Sequence, residues 1–103
     1  MKFYTKRPIP VPAVEVTKEN REEIIALLNS GTTGWEIVKE NGVEVGFLVH
    51  AWEGIEPVYY DPTKNVDKNH PCGTFVWIIR GIHNECYPCA NDVFLESYDE
   101  VRS

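Results

Sequence analysis

Cysteine and histidine side chains cluster in the C-terminal third of the sequence, where their spacing suits metal binding or disulfide exchange. Five of them could ligate zinc, which needs four ligands in a structural site: His70, Cys72, His83, Cys86 and Cys89. Cys86 and Cys89 form a C-x-x-C motif, which can lower a thiol pKa when it precedes a helix. A redox fold places this motif after a strand of a parallel sheet, and a zinc knuckle turns between its cysteines, whereas Tyr87-Pro88 reads as the end of a strand. Zinc and thiol chemistry therefore stay alternatives, and we expect no catalytic metal, no cofactor and no disulfide between Cys86 and Cys89.

Aromatic and arginine side chains form a second set with binding chemistry, because aromatics stack on bases and Arg binds phosphate through paired donors. Trp, Tyr and Phe make up 12% of the chain, and Trp52 and Tyr60 fall in a region that needs them less for sheet packing. Arg7 and Arg80 lie beside apolar strands of an acidic chain. We predict that a small nucleotide-like ligand contacts Arg80, Arg7, Trp52, Tyr60, Asn91 and Tyr87. The alternative is that each is structural, with Arg80 paired to Glu85 across a turn.

Length and composition limit the class of protein. The 103 residues are expected to form a single domain over 1–103, and the 43% hydrophobic and 25% charged residues exclude a disordered chain. A formal net charge of −6 argues against non-specific nucleic-acid binding, and no apolar run approaches the ~18 residues of a membrane span. The first eight residues lack the apolar core of a signal peptide, and an odd number of cysteines fits a reducing compartment. We therefore expect a cytoplasmic protein with no membrane partner.

The first third of the chain predicts an edge strand followed by a helix. Pro8, Pro10 and Pro12 alternate, so they remove N–H donors from one side of an extended segment, and we predict an edge strand over 9–16. Apolar residues at helical spacing then predict a helix over roughly 18–29 that lies on a sheet. Gly31 suits the position just past its end.

The segment from residue 35 to residue 50 predicts a β-hairpin. Asn41-Gly42 is the strongest short signal for a type I′ turn, because both central residues of that turn have positive φ. Strands are therefore predicted at 35–40 and 43–50. A two-residue turn then predicts these opposed pairs: Glu40 and Val43, Lys39 and Glu44, Val38 and Val45, Ile37 and Gly46, Glu36 and Phe47, Trp35 and Leu48.

The remaining sequence predicts an irregular middle and a strand-rich end. Residues 51–73 read as irregular with a short strand at 58–60, and the loop 61–73 either covers a ligand or is a surface insertion. The apolar run 74–80 predicts a central strand. A turn at 81–85, a returning strand, a short helix over 92–97 and a final strand over 98–101 follow. The predicted fold class is α+β, a mostly antiparallel sheet with one principal helix and a short second helix.

Two stretches resemble small bacteriophage and prophage proteins of the PGDYG-like type. The C-terminal stretch carries Ile78-Ile79-Arg80-Gly81, then Tyr87-Pro88-Cys89, Asp92-Val93-Phe94 and Tyr98. The N-terminal stretch is Met1-Lys2-Phe3-Tyr4-Thr5-Lys6-Arg7-Pro8, which continues into Val14-Glu15-Val16-Thr17. The chain departs from the family where Thr74-Phe75-Val76 replaces Pro-Gly-Asp and Asn91 replaces a proline, and residues 35–70 do not match. The resemblance implies a small accessory protein of phage origin and implies no reaction.

These observations together predict a function without catalysis. We expect a phage-encoded binding protein that sequesters a nucleotide-derived immune signal in the cytoplasm of the host cell and blunts that defence. We also expect it to be a homo-oligomer, because short chains often enclose a ligand between subunits. Two alternatives stay open: a protein–protein interaction module that inhibits a host factor, and a zinc- or thiol-containing accessory protein.

Overall fold

The computed structural model describes residues 1–4, 9–52, 54–65 and 75–100. In this part of the chain, two three-stranded antiparallel sheets and two α-helices confirm the predicted α+β class. The elements in chain order are β1 (Ala13–Glu15), α1 (Arg21–Ser30), β2 (Trp35–Glu40), β3 (Val43–Ala51), β4 (Gly54–Tyr59), a single 3-10 turn (Pro62–Lys64), β5 (Phe75–Arg80), β6 (Cys86–Ala90) and α2 (Asn91–Ser97).

The first sheet has the strand order β1-β5-β6, and we call it the β5 sheet. Its central strand is β5, as predicted, and β1 lies on its edge. The regular part of β1 is shorter than the predicted 9–16, although Arg80 N–H still donates to the Pro12 carbonyl and Val16 N–H to the Val76 carbonyl. Pro12 thus accepts a hydrogen bond from β5, and because the N–H and C=O of a strand residue point to the same side, its missing donor also lies on the β5 side of the strand.

The second sheet has the order β2-β3-β4, and we call it the β3 sheet. Its first hairpin turns at Asn41 (φ 52°) and Gly42 (φ 79°), as predicted. The first two predicted pairs form, but the register then shifts by one residue at a bulge, so that the pairs predicted beyond Lys39 and Glu44 are wrong. The bulge places Phe47 opposite Ile37, on the face that packs into the core, whereas the unbulged register would have turned Phe47 to solvent.

The short strand predicted at 58–60 corresponds to the end of β4, and the irregular interpretation of 51–73 is wrong for residues 54–57. Pro57 reads as a strand breaker in the sequence, yet it is tolerated because β4 lies at the edge of its sheet.

Gly46, which the sequence placed opposite Ile37, lies opposite Val38 and Tyr59 instead. A Cβ atom on Gly46 would stand 2.1 Å from the Val58 carbonyl oxygen, so the two strands can approach this closely only at glycine. Of the loop 61–73, the part beyond Asn65 lies outside the described residues.

Helix α1 turns one apolar side into the core and contacts β1 and β5. Ile24, Leu27 and Leu28 are buried together with side chains of β3, β4, β5 and β6. The helix begins at Arg21 and ends at Ser30, slightly later than predicted. Gly31 does follow the helix end, as predicted, but its backbone is extended rather than left-handed. A side chain is excluded there because a Cβ atom would stand 2.6 Å from the Asn84 carbonyl oxygen.

Helix α2 packs on β5 and β6, one residue longer at its start than predicted. The predicted final strand is absent from residues 98–100, and Val101 lies outside the described ranges. Tyr98 stays beside the helix because its N–H donates to the Phe94 carbonyl and its ring stacks on Phe94. Among the described residues, no helix has both the length and the apolar character needed to cross a membrane.

Candidate functional site

A surface groove of about 340 Å³ lies between the turn that precedes α1 and the end of β4. Its lining residues are Thr17, Lys18, Glu19, Tyr60 and Asp61. A volume of this size is at the lower end of what small-molecule sites occupy. The groove contains one predicted ligand-binding residue, Tyr60, and brings it beside one ammonium and two carboxylate groups.

Among the residues that line the groove, Tyr60 has the most unusual polar atom, its hydroxyl oxygen. This hydroxyl is buried and has no hydrogen-bond partner among the described residues, although the side chain as a whole is partly exposed and its ring packs edge-on against Phe47 at 5.7 Å between ring centroids. Burial raises the pKa of this phenol above its ordinary value of 10.0, so the group stays neutral and keeps its proton. Leaving a buried hydroxyl unpaired costs free energy, which an acceptor reaching it would recover.

Charges next to the groove are already paired. The Arg21 guanidinium donates to both carboxylate oxygens of Glu44, over 2.7 and 2.9 Å, and to Glu22. These bonds hold the pKa of the Glu44 carboxyl below its ordinary value of 4.5. The Asp61 carboxylate accepts from the backbone N–H and the hydroxyl of Thr63, which likewise lowers its pKa. Lys18 is the cation of the groove lining, and no partner binds it in the described part of the chain.

Arg80 lies away from this groove, at the end of β5. Its guanidinium donates to the hydroxyl of Ser30, the last residue of α1. The predicted alternative, a pair with Glu85, is wrong, because the Glu85 carboxylate folds back and accepts from the backbone N–H of His83. A cation at the C-terminal end of a helix offsets the partial negative charge there, which accounts for this placement.

Asn91 and Tyr87 meet in a different cluster on the β5 sheet. The side-chain oxygen of Asn91 accepts from the indole N–H of Trp77, and the Trp77 ring stacks on Phe94 with 3.9 Å between centroids. Tyr98 stacks next to Phe94, and its hydroxyl lies 3.4 Å from that of Tyr87. Burial and this hydroxyl contact raise the pKa of Tyr87. Both predicted site residues thus help to fix α2 on the sheet.

Trp52 is separated from the other predicted residues at the tip of the β3–β4 hairpin, where its side chain is 100% exposed. Arg7 lies outside the described residues. The structure therefore brings Tyr87 and Asn91 into one cluster and leaves Tyr60, Arg80 and Trp52 in three other places.

The cysteines at 86 and 89 are buried and free. Burial raises the pKa of both thiols, the opposite of what a reactive C-x-x-C motif requires. Within the described ranges, no three His, Cys, Asp or Glu side chains gather where they could hold a metal ion. The other two residues of the predicted zinc set, His70 and Cys72, lie outside those ranges.

Sequence reasoning missed three lining residues of the groove, Thr17, Lys18 and Glu19, whereas Asp61 begins the loop 61–73 that it considered as a ligand cover. Residues 17–19 lie about 40 positions from Tyr60 and Asp61 in the sequence, and the fold brings the two segments together. No local pattern at these positions predicts that meeting. Comparisons with family models, with curated proteins and with solved structures find no match to this chain.

Proposed function

We propose that this chain is a non-enzymatic binding protein that holds a small nucleotide-like ligand in the groove beside Tyr60. The observation that supports the proposal is that Tyr60, which lines a groove of about 340 Å³, has a buried hydroxyl without a partner in the described part of the chain. A polar atom of this kind is expected where a ligand supplies the missing partner.

The groove offers complementary groups for the parts of a nucleotide. The Lys18 ammonium suits a phosphate, as a single compact charge with three donors. Carboxylates such as Glu19 and Asp61 accept from ribose hydroxyls or from the amino group of a base. The same two carboxylates disfavour several phosphates in one place, so the groove suits a ligand with a single phosphate better than a triphosphate.

The phage resemblance suggests what such a ligand would be. A protein of this size without a reaction of its own can act by sequestration, and the expected ligand is then a nucleotide-derived immune signal in the host cytoplasm. Sequestration needs affinity rather than turnover, and a groove lined by a neutral phenol and one free ammonium suits that task.

Calorimetric titration with a panel of linear and cyclic mononucleotides and dinucleotides tests this proposal. We expect at least one to bind, and Lys18→Ala to weaken it roughly 10- to 150-fold, the equivalent of ~1.5–3 kcal/mol for a charged hydrogen bond. Lys64→Ala is the matched control, because Lys64 pairs with Glu40 and does not line the groove. Absence of binding across the panel, or equal affinity of the parent and Lys18→Ala, would refute the groove as a nucleotide site.

A protein–protein interaction module is the second candidate, and one observation favours it. Trp52 is 100% exposed and Ile55 is 60% exposed, both in the β3–β4 hairpin. Exposed tryptophan is a frequent anchor in protein interfaces. This candidate predicts that Trp52→Ser abolishes binding to a purified host factor while nucleotide binding stays at the parent level. The Lys18→Ala variant should show the reverse pattern.

A further inference from the structure

Strand β2 is an edge of the β3 sheet, and half of its backbone polar groups face away from that sheet. The His50 N–H donates to the Gly34 carbonyl, so the even-numbered residues of this part of the chain direct their N–H and C=O groups to β3. Trp35, Ile37 and Lys39 lie between them and direct theirs outward. Within the described ranges, no hydrogen bond reaches these outward groups. They form a row of donors and acceptors that suits a further strand.

The edges formed by β4 and β6 are closed by side chains and prolines. On β4, the Asn65 amide takes both backbone groups of the last residue, and Pro57 lacks a donor. On β6, the Thr33 hydroxyl accepts from the Cys86 N–H over 2.7 Å and lies 3.4 Å from the Cys86 carbonyl oxygen, to which it donates. Pro88 lacks a donor on the same strand. A further strand is therefore disfavoured at both edges.

Strand β1 forms the remaining edge and is short. It has three residues, and the Asn20 side chain donates to the Glu15 carbonyl at its end over 3.0 Å. Strand β2 has six residues and no proline, and no side chain of the described structure caps its outward groups. Because proteins close the edges that must stay single, an edge left open over this length indicates a strand that pairs with it.

We propose that β2 of a second copy is this strand, paired antiparallel about a twofold axis at Ile37. In this register Trp35 lies opposite Lys39 of the second copy, on the same face of the joined sheet. Glu36 lies opposite Val38 of the second copy, on the other face. The outward groups pair with one another in about six backbone hydrogen bonds. The Lys39 ammonium also comes within reach of a tryptophan ring, the aromatic side chain that attracts cations best.

The charges of β2 favour this register over its neighbours. An axis one residue earlier would place Glu36 opposite Glu36 of the second copy, and an axis one residue later would place Glu36 opposite Glu40. Like charges directly opposite each other destabilise a strand pair. Of these three registers, only the axis at Ile37 leaves each carboxylate opposite an uncharged residue. The strand is thus complementary to itself, which favours a second copy over an unrelated strand.

The pairing also ends the assembly at two copies. It joins two β3 sheets into one, in the order β4-β3-β2-β2-β3-β4, and β4 becomes the edge at both ends. Asn65 and Pro57 close that edge, so no third copy adds to it. Pairing through one strand covers less area than the ~1,200–2,000 Å² of stable interfaces, so we expect a dissociation constant in the micromolar range.

Amide hydrogen exchange by NMR, combined with sedimentation of the same samples, tests the register. Between about 50 μM and about 1 mM, the mass should rise from 11.8 kDa toward twice that value. Over the same range, exchange at the Ile37 and Lys39 N–H groups should slow roughly threefold. The Glu36 N–H is the internal control, because it pairs with β3 in the monomer and should stay protected throughout.

Charge variants at Val38 test the pairing by a second route. Val38→Glu sets a carboxylate opposite Glu36 of the second copy and should weaken the dimer, whereas Val38→Lys should tighten it. The twofold axis repeats the contact, so each change should be roughly 2- to 30-fold. Both variants place a charge at the same half-buried position, so a loss of folding alone would shift them in one direction. His50→Glu is the matched control, because it adds a carboxylate to an exposed position on the central strand and should leave the dimer unchanged.

Three results would overturn the proposal. They are a parent that stays monomeric at about 1 mM, a dimer whose Ile37 N–H exchanges as fast as in the monomer, and Val38 variants that shift the affinity in the same direction. Adding Glu36→Lys to Val38→Glu should restore the dimer, because it sets opposite charges across the axis. The groove is a separate question, since none of its lining residues belongs to β2 and nucleotide titration measures it independently.

Discussion

The side-chain amide of Asn65 pairs with both backbone polar groups of Tyr59. Tyr59 N–H donates to the amide oxygen over 2.7 Å, and the amide nitrogen donates to the Tyr59 carbonyl over 2.8 Å. Tyr59 ends the edge strand β4, so the amide stands where the backbone of a fourth strand would pair. Pro57 lacks an N–H on the same side of this strand. Together the two residues close much of an edge that would otherwise recruit another chain.

We predict that Asn65→Ala lowers the free energy of unfolding by about 1–3 kcal/mol, because it removes two hydrogen bonds and leaves the Tyr59 groups without partners. Urea unfolding followed by tryptophan fluorescence measures this difference. Asn29→Ala is the control: its amide binds the indole of Trp35 in an exposed position, and its removal should cost much less. Equal losses in the two variants would contradict the role assigned to the Asn65 amide.

Gly46→Ala should destabilise the protein by at least the ~1–3 kcal/mol typical of overpacking, because the added methyl would meet the Val58 carbonyl oxygen at 2.1 Å. The strands β3 and β4 would have to separate at this point. Gly34→Ala is a matched control, since its Cβ would lie 3.6 Å from the nearest atom, in the His50 ring. Thermal unfolding of both variants gives the comparison, and a Gly46→Ala protein as stable as Gly34→Ala would show that the strands separate freely.

The turn and the principal helix could be predicted from the sequence because both are encoded locally. Asn41-Gly42 specifies its own backbone conformation, and the apolar spacing of α1 specifies its buried side. The bulge between Val38 and Lys39 could not be predicted in the same way. It arises because Phe47 and Val49 are buried on the same face as Ile37, a requirement that only the packed core imposes.

The candidate site was only partly predictable for a related reason. Tyr60 was chosen as an aromatic residue outside the expected sheet, and it does line the groove. Asp61 follows Tyr60 directly in the chain, whereas Lys18 comes from a distant segment that only tertiary packing brings to the groove. Asn91 and Arg80 were chosen for their binding chemistry, but in the fold they bond to Trp77 and Ser30. Side-chain type indicates what a residue can bind and does not show which partner is within reach.

The Arg21–Glu44 pair should make the free energy of unfolding decrease as the pH is lowered. The pKa of Glu44 is lower in the folded protein than its ordinary value of 4.5, because the Arg21 guanidinium binds the ionised form. The stabilisation is therefore fully present above pH 4.5 and is lost as the pH falls below that value. Glu44→Gln should lower the free energy of unfolding at pH 7. Between pH 4.5 and pH 3, the free energy of unfolding of this variant should decrease less than that of the parent. Glu36→Gln, at an exposed carboxylate of the same sheet, is the control and should follow the parent. Parallel profiles for the parent and Glu44→Gln in urea unfolding would contradict this assignment.

Arg80→Ala separates a structural role of this arginine from a binding role. The last turn of α1 contains no basic residue, and Arg80 reaches it from β5 through the Ser30 hydroxyl. We expect the variant to lose ~0.3–1 kcal/mol of stability, the usual contribution of a cation at a helix C-terminus, and Arg80→Lys to retain part of it. Nucleotide affinity should change less than twofold, because the groove beside Tyr60 does not include Arg80. Unfolding and calorimetric titration of the same variants measure both quantities. A large loss of affinity at unchanged stability would instead place Arg80 in the ligand site, as its position beside Gly81 on an apolar strand first predicted.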